Sequence, residues 1–180
     1  MDNQKSDLEI VIEGTVSQEH LILFEKAVET LQQNSLNALR IILNSPGGDA
    51  NVGVKIINTI NSLSSKGIEI FTHGINLVGS AALGIYIHGT KRSLEANTSV
   101  VIDLPYKLYD KKLILGFAQT EAELLRLIEE NKNIQLGRQQ WAEMYANILN
   151  QPVENIYKLE GKYITTEEAL KLGFCQSIVD

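Results

Sequence analysis

The residues with the clearest chemical potential lie at a single turn. An apolar run with β-branched residues, typical of a buried strand, ends at Asn44 and leads into Ser45-Pro46-Gly47-Gly48. Two consecutive glycines let the backbone turn sharply and bring a bare N–H close to a ligand. Apolar residues recur at helical spacing after Asp49, so that N–H would lie beside a helix N-terminus and could hold developing negative charge. A plain strand-to-helix turn would also explain the two glycines.

Other residue types that carry chemistry are few and dispersed. The three histidines, His20, His73 and His88, are scattered along the chain, so no metal site is predicted. Cys175 is the only cysteine, which excludes an internal disulfide and a multi-cysteine zinc site. No cofactor is predicted. A net charge of −6 without a basic stripe argues against a nucleic-acid partner.

Length and composition indicate one globular domain. The chain has 180 residues, of which 44% are hydrophobic and 21% are charged, so it can bury a sizeable core. No apolar run approaches the length of a membrane span. The segment Met1–Asp7 is polar and unsuited to secretion. These features predict a soluble cytoplasmic protein with no membrane partner.

The elements that must position the turn are predicted from periodicity, caps and breakers. Strands are expected at Leu8–Gly14, at Leu39–Asn44 with its end set by Pro46, from Ile68, at Val100–Ile102 before Pro105, and at Cys175–Val179. Helices are expected after Ser17, from Asp49 to about Ser64, over Gly79–His88, from the capping box at Thr120 to Leu149 with a bend or break near Gly137, and from the capping box at Thr165 to Gly173. Strands alternating with helices indicate an α/β layered domain with a mostly parallel sheet.

Several motifs occur together in an order typical of one family. They are Asn44–Gly48, the small-residue helix with Ser80, Gly89–Arg92, Asn97 before Val100–Ile102, Pro105, Tyr145-Ala146, Gln151-Pro152, Glu154–Ile156 and Thr165–Gly173. From about Leu8 to the C-terminus the chain resembles the proteolytic subunit of the Clp protease, within the ClpP/crotonase fold. The resemblance implies a single domain over residues 1–180 with repeated β-β-α units. Residues 106–150 would form an extended connection and a handle-like helix.

That family works with a Ser–His–Asp triad beside an oxyanion hole. The resemblance assigns the nucleophile position to Ser80 and the oxyanion hole to the backbone N–H groups of Gly48 and Ala81. Asp103 stands at the histidine position, and the segment expected to hold the third member has Glu160 as its only acid. An ordinary carboxylate is too weak a base to take a serine proton. The implied protein is therefore a serine peptidase homologue, a pseudoenzyme with impaired or absent hydrolysis.

Three alternatives remain open. The chain could be an active serine hydrolase with another base, such as His73 if its loop folds back, or a lysine from the group Lys107, Lys111, Lys112 and Lys132. His88 lies eight residues after Ser80, about 12 Å along a helix, and is not a suitable partner. The chain could instead be a non-catalytic peptide-binding subunit, or an acyl-CoA-binding protein of the crotonase type. Close helix packing alone would also explain the small residues Gly79–Ala82.

The resemblance also implies partners. The substrate class would be a peptide or an unfolded protein. The apolar surface predicted for the helix from Thr120 to Leu149 exceeds what one side of a sheet needs, which predicts a homo-oligomer with this helix at an interface. Only Met1–Asp7 precedes the first strand, so docking of a Clp-type ATPase is not expected.

Overall fold

The computed structural model describes residues 8–105 and 121–180. The chain divides into two compact units. The first consists of Met1–Asp103 and Leu159–Asp180, and the second of Leu104–Lys158.

The first unit contains seven strands and four helices in its described residues. The strands are β1 (Leu8–Val16), β2 (Ala38–Gly48), β3 (Glu69–Gly79), β4 (Lys91–Glu95), β5 (Ser99–Val101), β6 (Tyr163–Ile164) and β7 (Ser177–Val179). The helices are α1 (Gln18–Gln33), α2 (Ala50–Ser65), α3 (Ser80–Ile87) and α6 (Thr166–Leu172). The second unit contains α4 (Glu121–Leu149) and most of α5 (Val153–Leu159).

The sheet is mostly parallel. Its main order is β1-β2-β3-β4-β7, and every neighbouring pair in that order runs parallel. β3 has two successive partners, because Phe71–Gly74 pairs with β4 and Leu77–Gly79 pairs with β5. The short β6 runs antiparallel to β5. The predicted α/β fold with a mostly parallel sheet is therefore confirmed.

The core lies on one face of this sheet. Along β1, β2 and β3 the buried residues alternate with half-buried or exposed ones, as expected when one face is packed and the other is not. The α3 helix is apolar all round, and every residue from Ala81 to Ile87 is buried. It is the central element of the packing.

Helix ends follow the capping predictions where they can be compared. Ser17 caps α1, with His20 completing a capping box, and the Asp49 carboxylate accepts hydrogen bonds from the first turn of α2. The predicted box of Thr165 and Glu168 is present, and Gly173 ends α6 in the left-handed conformation. The predicted caps at Ser17, Thr165 and Gly173 are confirmed. The box predicted at Thr120 lies outside the described residues.

Two predicted strand ends are wrong. β1 continues past Gly14 to Val16, and β2 continues through Pro46 to Gly48. The reason is a bulge: Glu13 pairs with Asn44 and Thr15 with Gly47, so Pro46 sits where the ladder is already irregular. A proline at such a position removes no regular ladder hydrogen bond. β4 was not predicted.

The long helix of the second unit is continuous. α4 is not broken at Gly137, where a Cβ atom would meet nothing within 4 Å. One face of its last turns is buried, and the rings of Trp141 and Tyr145 lie 6.0 Å apart at a tilt of 52°. Among the residues that the structure describes, no helix is long and apolar enough to cross a membrane.

Arg92 on β4 joins the C-terminal ends of two helices. Its Nε donates to the Phe174 carbonyl at 2.8 Å, and one terminal nitrogen donates to Gly173 at 3.3 Å, just after α6. The other terminal nitrogen donates to Ile87 at 3.3 Å and Gly89 at 3.2 Å, at the end of α3. A guanidinium placed there satisfies carbonyls that lack helical partners and opposes both helix dipoles.

Replacing Arg92 with methionine should lower the free energy of unfolding by about 2–4 kcal/mol, because four carbonyls lose a charged donor. Urea denaturation at fixed protein concentration measures this. Arg126→Met is the matched control, since the Arg126 side chain is 64% exposed and its Nε lies 4.0 Å from a Glu130 carboxylate oxygen; it should cost less than about 0.5 kcal/mol. Equal losses in the two variants would contradict this stabilising role of Arg92.

Candidate active site

The turn at the end of β2 is held in place from three sides. The Gly47 N–H donates to the buried Ser45 hydroxyl at 3.1 Å, and the Asp49 N–H donates to the Val16 carbonyl at 3.0 Å. The Asp49 carboxylate accepts from Asn51 N at 2.8 Å and Val52 N at 3.3 Å, which starts α2. Both glycines have positive φ, 105° at Gly47 and 153° at Gly48. The backbone therefore needs glycine here.

The hydrogen-bonding role of Ser45 was not predicted from the sequence, although Ser45 belongs to the motif. A serine whose hydroxyl binds the backbone two residues further on is a known turn signal, so the sequence did contain the information. Ser45 is fully buried and fixes the turn by accepting from Gly47. This bond occupies the Gly47 N–H.

Ser80 begins α3 directly after β3. Gly79 precedes it in extended conformation, with φ −132° and ψ 160°, and Ser80 itself has φ +47°. A serine in the left-handed region costs roughly 1–2 kcal/mol and persists only where the surrounding structure enforces it. The side chain is half-buried. A hydroxyl is thus presented at a sharp strand-to-helix turn.

The two turns touch each other. A Cβ atom added to Gly47 would lie 2.4 Å from Ser80 Cβ, 2.8 Å from Gly79 O and 3.0 Å from Ala81 N. A Cβ atom on Gly79 would lie 2.9 Å from Pro46 O. The backbone of the β2 turn therefore lies directly against the start of α3, with no room for a side chain. Gly48 and Ala81, predicted to supply the oxyanion N–H groups, flank this contact; that role stays a prediction.

Backbone register brings the two predicted acids to the same edge of the sheet. Gly79, the residue before Ser80, pairs with Val101 of β5. Asp103 lies two residues after Val101. Ile102 forms a bridge with Glu160 and accepts a hydrogen bond from Gly161 N at 2.8 Å. Asp103 and Glu160 are both half-buried. The carboxyl ends of β3 and β5 thus carry Ser80 and Asp103, and Glu160 adjoins the latter.

Each of the three histidines is hydrogen-bonded to a group other than Ser80. His20 Nδ1 accepts from Ser17 N at 3.2 Å, and its Nε2 lies 3.1 Å from the Glu13 carbonyl. His73 Nδ1 shares a 2.9 Å hydrogen bond with the hydroxyl of Ser93.

His73 is also remote along the sheet. It pairs with Ile42, which lies five residues before Gly47. At about 3.3 Å per residue, the level of His73 in the sheet is roughly 16 Å from Gly47. His88 lies at the far end of α3, and its Nδ1 donates to the Gly84 carbonyl at 2.7 Å. Burial is the main cause that lowers the pKa of both His73 and His88. The arrangement brings neither imidazole to Ser80.

The lysine candidates stay untested. Lys107, Lys111 and Lys112 lie outside the described residues, and Lys132 lies in the second unit. Within the described ranges, no three histidine, cysteine, aspartate or glutamate residues form a group that could hold a metal ion.

A serine raised on a strained strand-to-helix turn, beside a glycine turn and a helix N-terminus, is the geometry of a serine-hydrolase nucleophile. The model of the Clp protease family matches residues 3–180, so the chain belongs to that family. The resemblance seen in the sequence is confirmed.

A solved structure supports the same fold. The chain is similar to a ClpP1 mutant from Listeria monocytogenes, with a TM-score of 0.79 and 23% sequence identity. The match covers 96% of this chain and 91% of that one. At this identity the likeness concerns the fold.

Gly47→Ala should destabilise the protein far more than a glycine substitution with open space around it. The matched control is Gly67→Ala, because Gly67 has φ +86° and nothing within 4 Å of an added Cβ atom. Both variants carry the strain of positive φ, about 1–2 kcal/mol, but Gly47→Ala also overlaps Ser80. We expect about 2 kcal/mol of additional loss in urea denaturation. Equal losses would show that the turn and α3 are not in close contact.

Proposed function

We propose that this protein is a ClpP-like serine peptidase homologue with little or no hydrolytic activity. It keeps the glycine turn and Ser80 at the nucleophile position, with Gly48 and Ala81 as the oxyanion N–H groups. It lacks the histidine and the aspartate of the family triad. Its ligand would be a peptide or an unfolded-protein segment held along the site without efficient cleavage.

One observation carries this proposal: each of the three imidazoles is hydrogen-bonded to a group other than Ser80. The ring of His20 binds the first turn of α1, that of His73 binds Ser93, and that of His88 binds Gly84. A serine hydroxyl needs a base within hydrogen-bond reach whose pKa lies near the working pH. None of these three rings meets the first condition.

The residue that takes the place of the base supports the same conclusion. The family resemblance puts the histidine where this chain has Asp103, and the strand register brings that residue to the same sheet edge as Ser80. A carboxylate is a much weaker base than an imidazole, so it assists attack by a serine hydroxyl poorly at neutral pH. Loss of the base from such a triad lowers the rate by several orders of magnitude.

Fluorophosphonate labelling tests the proposal. The unmodified protein should label no faster than Ser80→Ala, because its three imidazoles are hydrogen-bonded to other groups. Asp103→His should label at least about tenfold faster than the parent, since the imidazole would occupy the position of the family base while Glu160 adjoins it. Mass spectrometry should locate the added label on Ser80.

Two control variants keep the test sharp. Asp103→Asn removes the charge without supplying a base and should stay at background, and Asp103→His with Ser80→Ala should not label. Labelling of the parent that disappears in Ser80→Ala would contradict the proposal and favour an active hydrolase with a non-family base. Circular dichroism and the unfolding midpoint show that the variants are folded.

We also propose that the chain forms a homo-oligomer through α4. The helix keeps large apolar side chains in solvent, with Leu125 58%, Leu136 54% and Ile128 44% exposed. Apolar side chains on one helix favour burial against another protein surface. The helix includes the segment that joins subunits in the resembling family.

Light scattering at micromolar concentration should give a mass well above the 20.0 kDa of one chain. The double variant Leu125→Asp/Leu136→Asp should shift that mass toward the monomer, because charges would be buried at the interface. Leu170→Asp, on α6 and 40% exposed, should leave the mass unchanged. A 20 kDa parent would rule the assembly out.

A further inference from the structure

The sheet face opposite the helices carries a cleft. Parallel sheets usually have both faces covered, yet alternate residues on β2, β3 and β4 of the first unit are half-buried or exposed on this side, including Arg40, Phe71 and His73. A cleft of about 480 Å³ opens there, lined from β2, β3, β4 and residues 176–179. That volume falls in the range of small-molecule sites.

The lining of the cleft is cationic. Arg40, Lys91 and Arg92 all contribute to it, and no aspartate or glutamate is among the lining residues that the structure describes. Hydrogen-bonding groups on Ser93, Gln176 and Ser177 complete the polar part. Glu9 and Glu69 pair with Arg40 and Lys91 from positions outside this lining and offset part of its charge. The lining itself presents positive charge. It defines the chemistry that the cleft would recognise.

Two of the cations can turn toward a ligand. Arg40 Nε lies 3.8 Å from a Glu9 carboxylate oxygen, and the Arg40 side chain is 35% exposed. Lys91 Nζ lies 3.1 Å from Glu69 and 4.9 Å from the centre of the Phe71 ring, with its side chain 50% exposed. Exposed ion pairs of this kind contribute little and exchange partners readily.

Arg92, the third cation of the lining, has a different role. Four N–H groups of Arg92 are bound to carbonyls, and no carboxylate is among these partners. Its charge therefore adds to the field in the cleft while its donors stay engaged. Burial, and secondarily Arg40, lowers the pKa of His73, whereas Glu95 and Glu9 raise it less. At neutral pH the His73 imidazole therefore contributes a polar group to the lining and not a positive charge.

We propose that this cleft binds a small organic anion through a carboxylate or phosphate group held by Arg40 and Lys91. Such charge-assisted contacts are stronger than neutral ones and suit a partly buried, acid-free lining. Ser93 and Gln176 would supply further hydrogen bonds beside the anionic group. The site is separate from Ser80 and requires no catalysis.

The test is a titration of the full chain with citrate in one series and adenosine monophosphate in another, followed by the imidazole NMR signals. Saturable shifts of the His73 signals with either probe support the proposal, and the tighter probe identifies the anionic group. Arg40→Gln/Lys91→Gln should weaken binding at least about tenfold. The charge-matched control Lys55→Gln/Lys66→Gln, at exposed positions of α2 and its C-cap, should change the affinity less than about twofold.

Three results would overturn the inference. The first is the absence of His73 shifts with both probes. The second is an equal loss in the two double variants, which would mean attraction to overall charge alone. The third is a change of molecular mass in Arg40→Gln/Lys91→Gln without any anion binding by the parent, which would identify the cleft as a contact between copies of the chain. Arg92 is left unchanged throughout because it stabilises the fold.

Discussion

The turn at the end of β2 packs so closely against the start of α3 that Gly47 and Gly79 leave no room for a side chain. The geometry of the site depends on that constraint. Gly47 lies against Ser80 and Ala81, Gly79 lies against the Pro46 carbonyl, and Gly53 brings α2 to within close contact of Ala81. Interiors are packed so densely that a single added methyl group must displace something. The positions of Ser80 and of the N–H groups around it therefore follow from backbone packing.

Features fixed by local interactions could be predicted from the sequence. The caps at Ser17, Thr165 and Gly173 involve residues three or four apart, and they formed as expected. The strand ends failed because Gly14 and Pro46 act as breakers only in a regular ladder, and here they lie at a bulge between β1 and β2. β4 lacks a clear alternation and is a strand because β3 and β7 flank it.

The candidate site also combines features that the sequence reveals with features that depend on the tertiary structure. Family motifs led to Ser80 and Asp103, but nothing in the residue types indicated that Ser80 has positive φ, since serine rarely adopts it. Close approach of Gly47 to Ser80 joins residues 33 positions apart, and no local pattern encodes it. The neighbourhood of Asp103 and Glu160 depends on a bridge between β5 and the segment before β6, which only the tertiary structure reveals.

Retention of the serine turn has a structural explanation that is independent of catalysis. The buried α3 helix must start where Gly47 leaves room, and the residue at its first position has to be small enough to lie beside that glycine. Serine meets this requirement, and the surrounding packing holds its strained φ. The glycine turn and a small residue at position 80 therefore contribute to the packing of the core independently of any reaction. Asp103 and Glu160 are under a weaker packing constraint, because both are half-buried next to the bridge that follows β5.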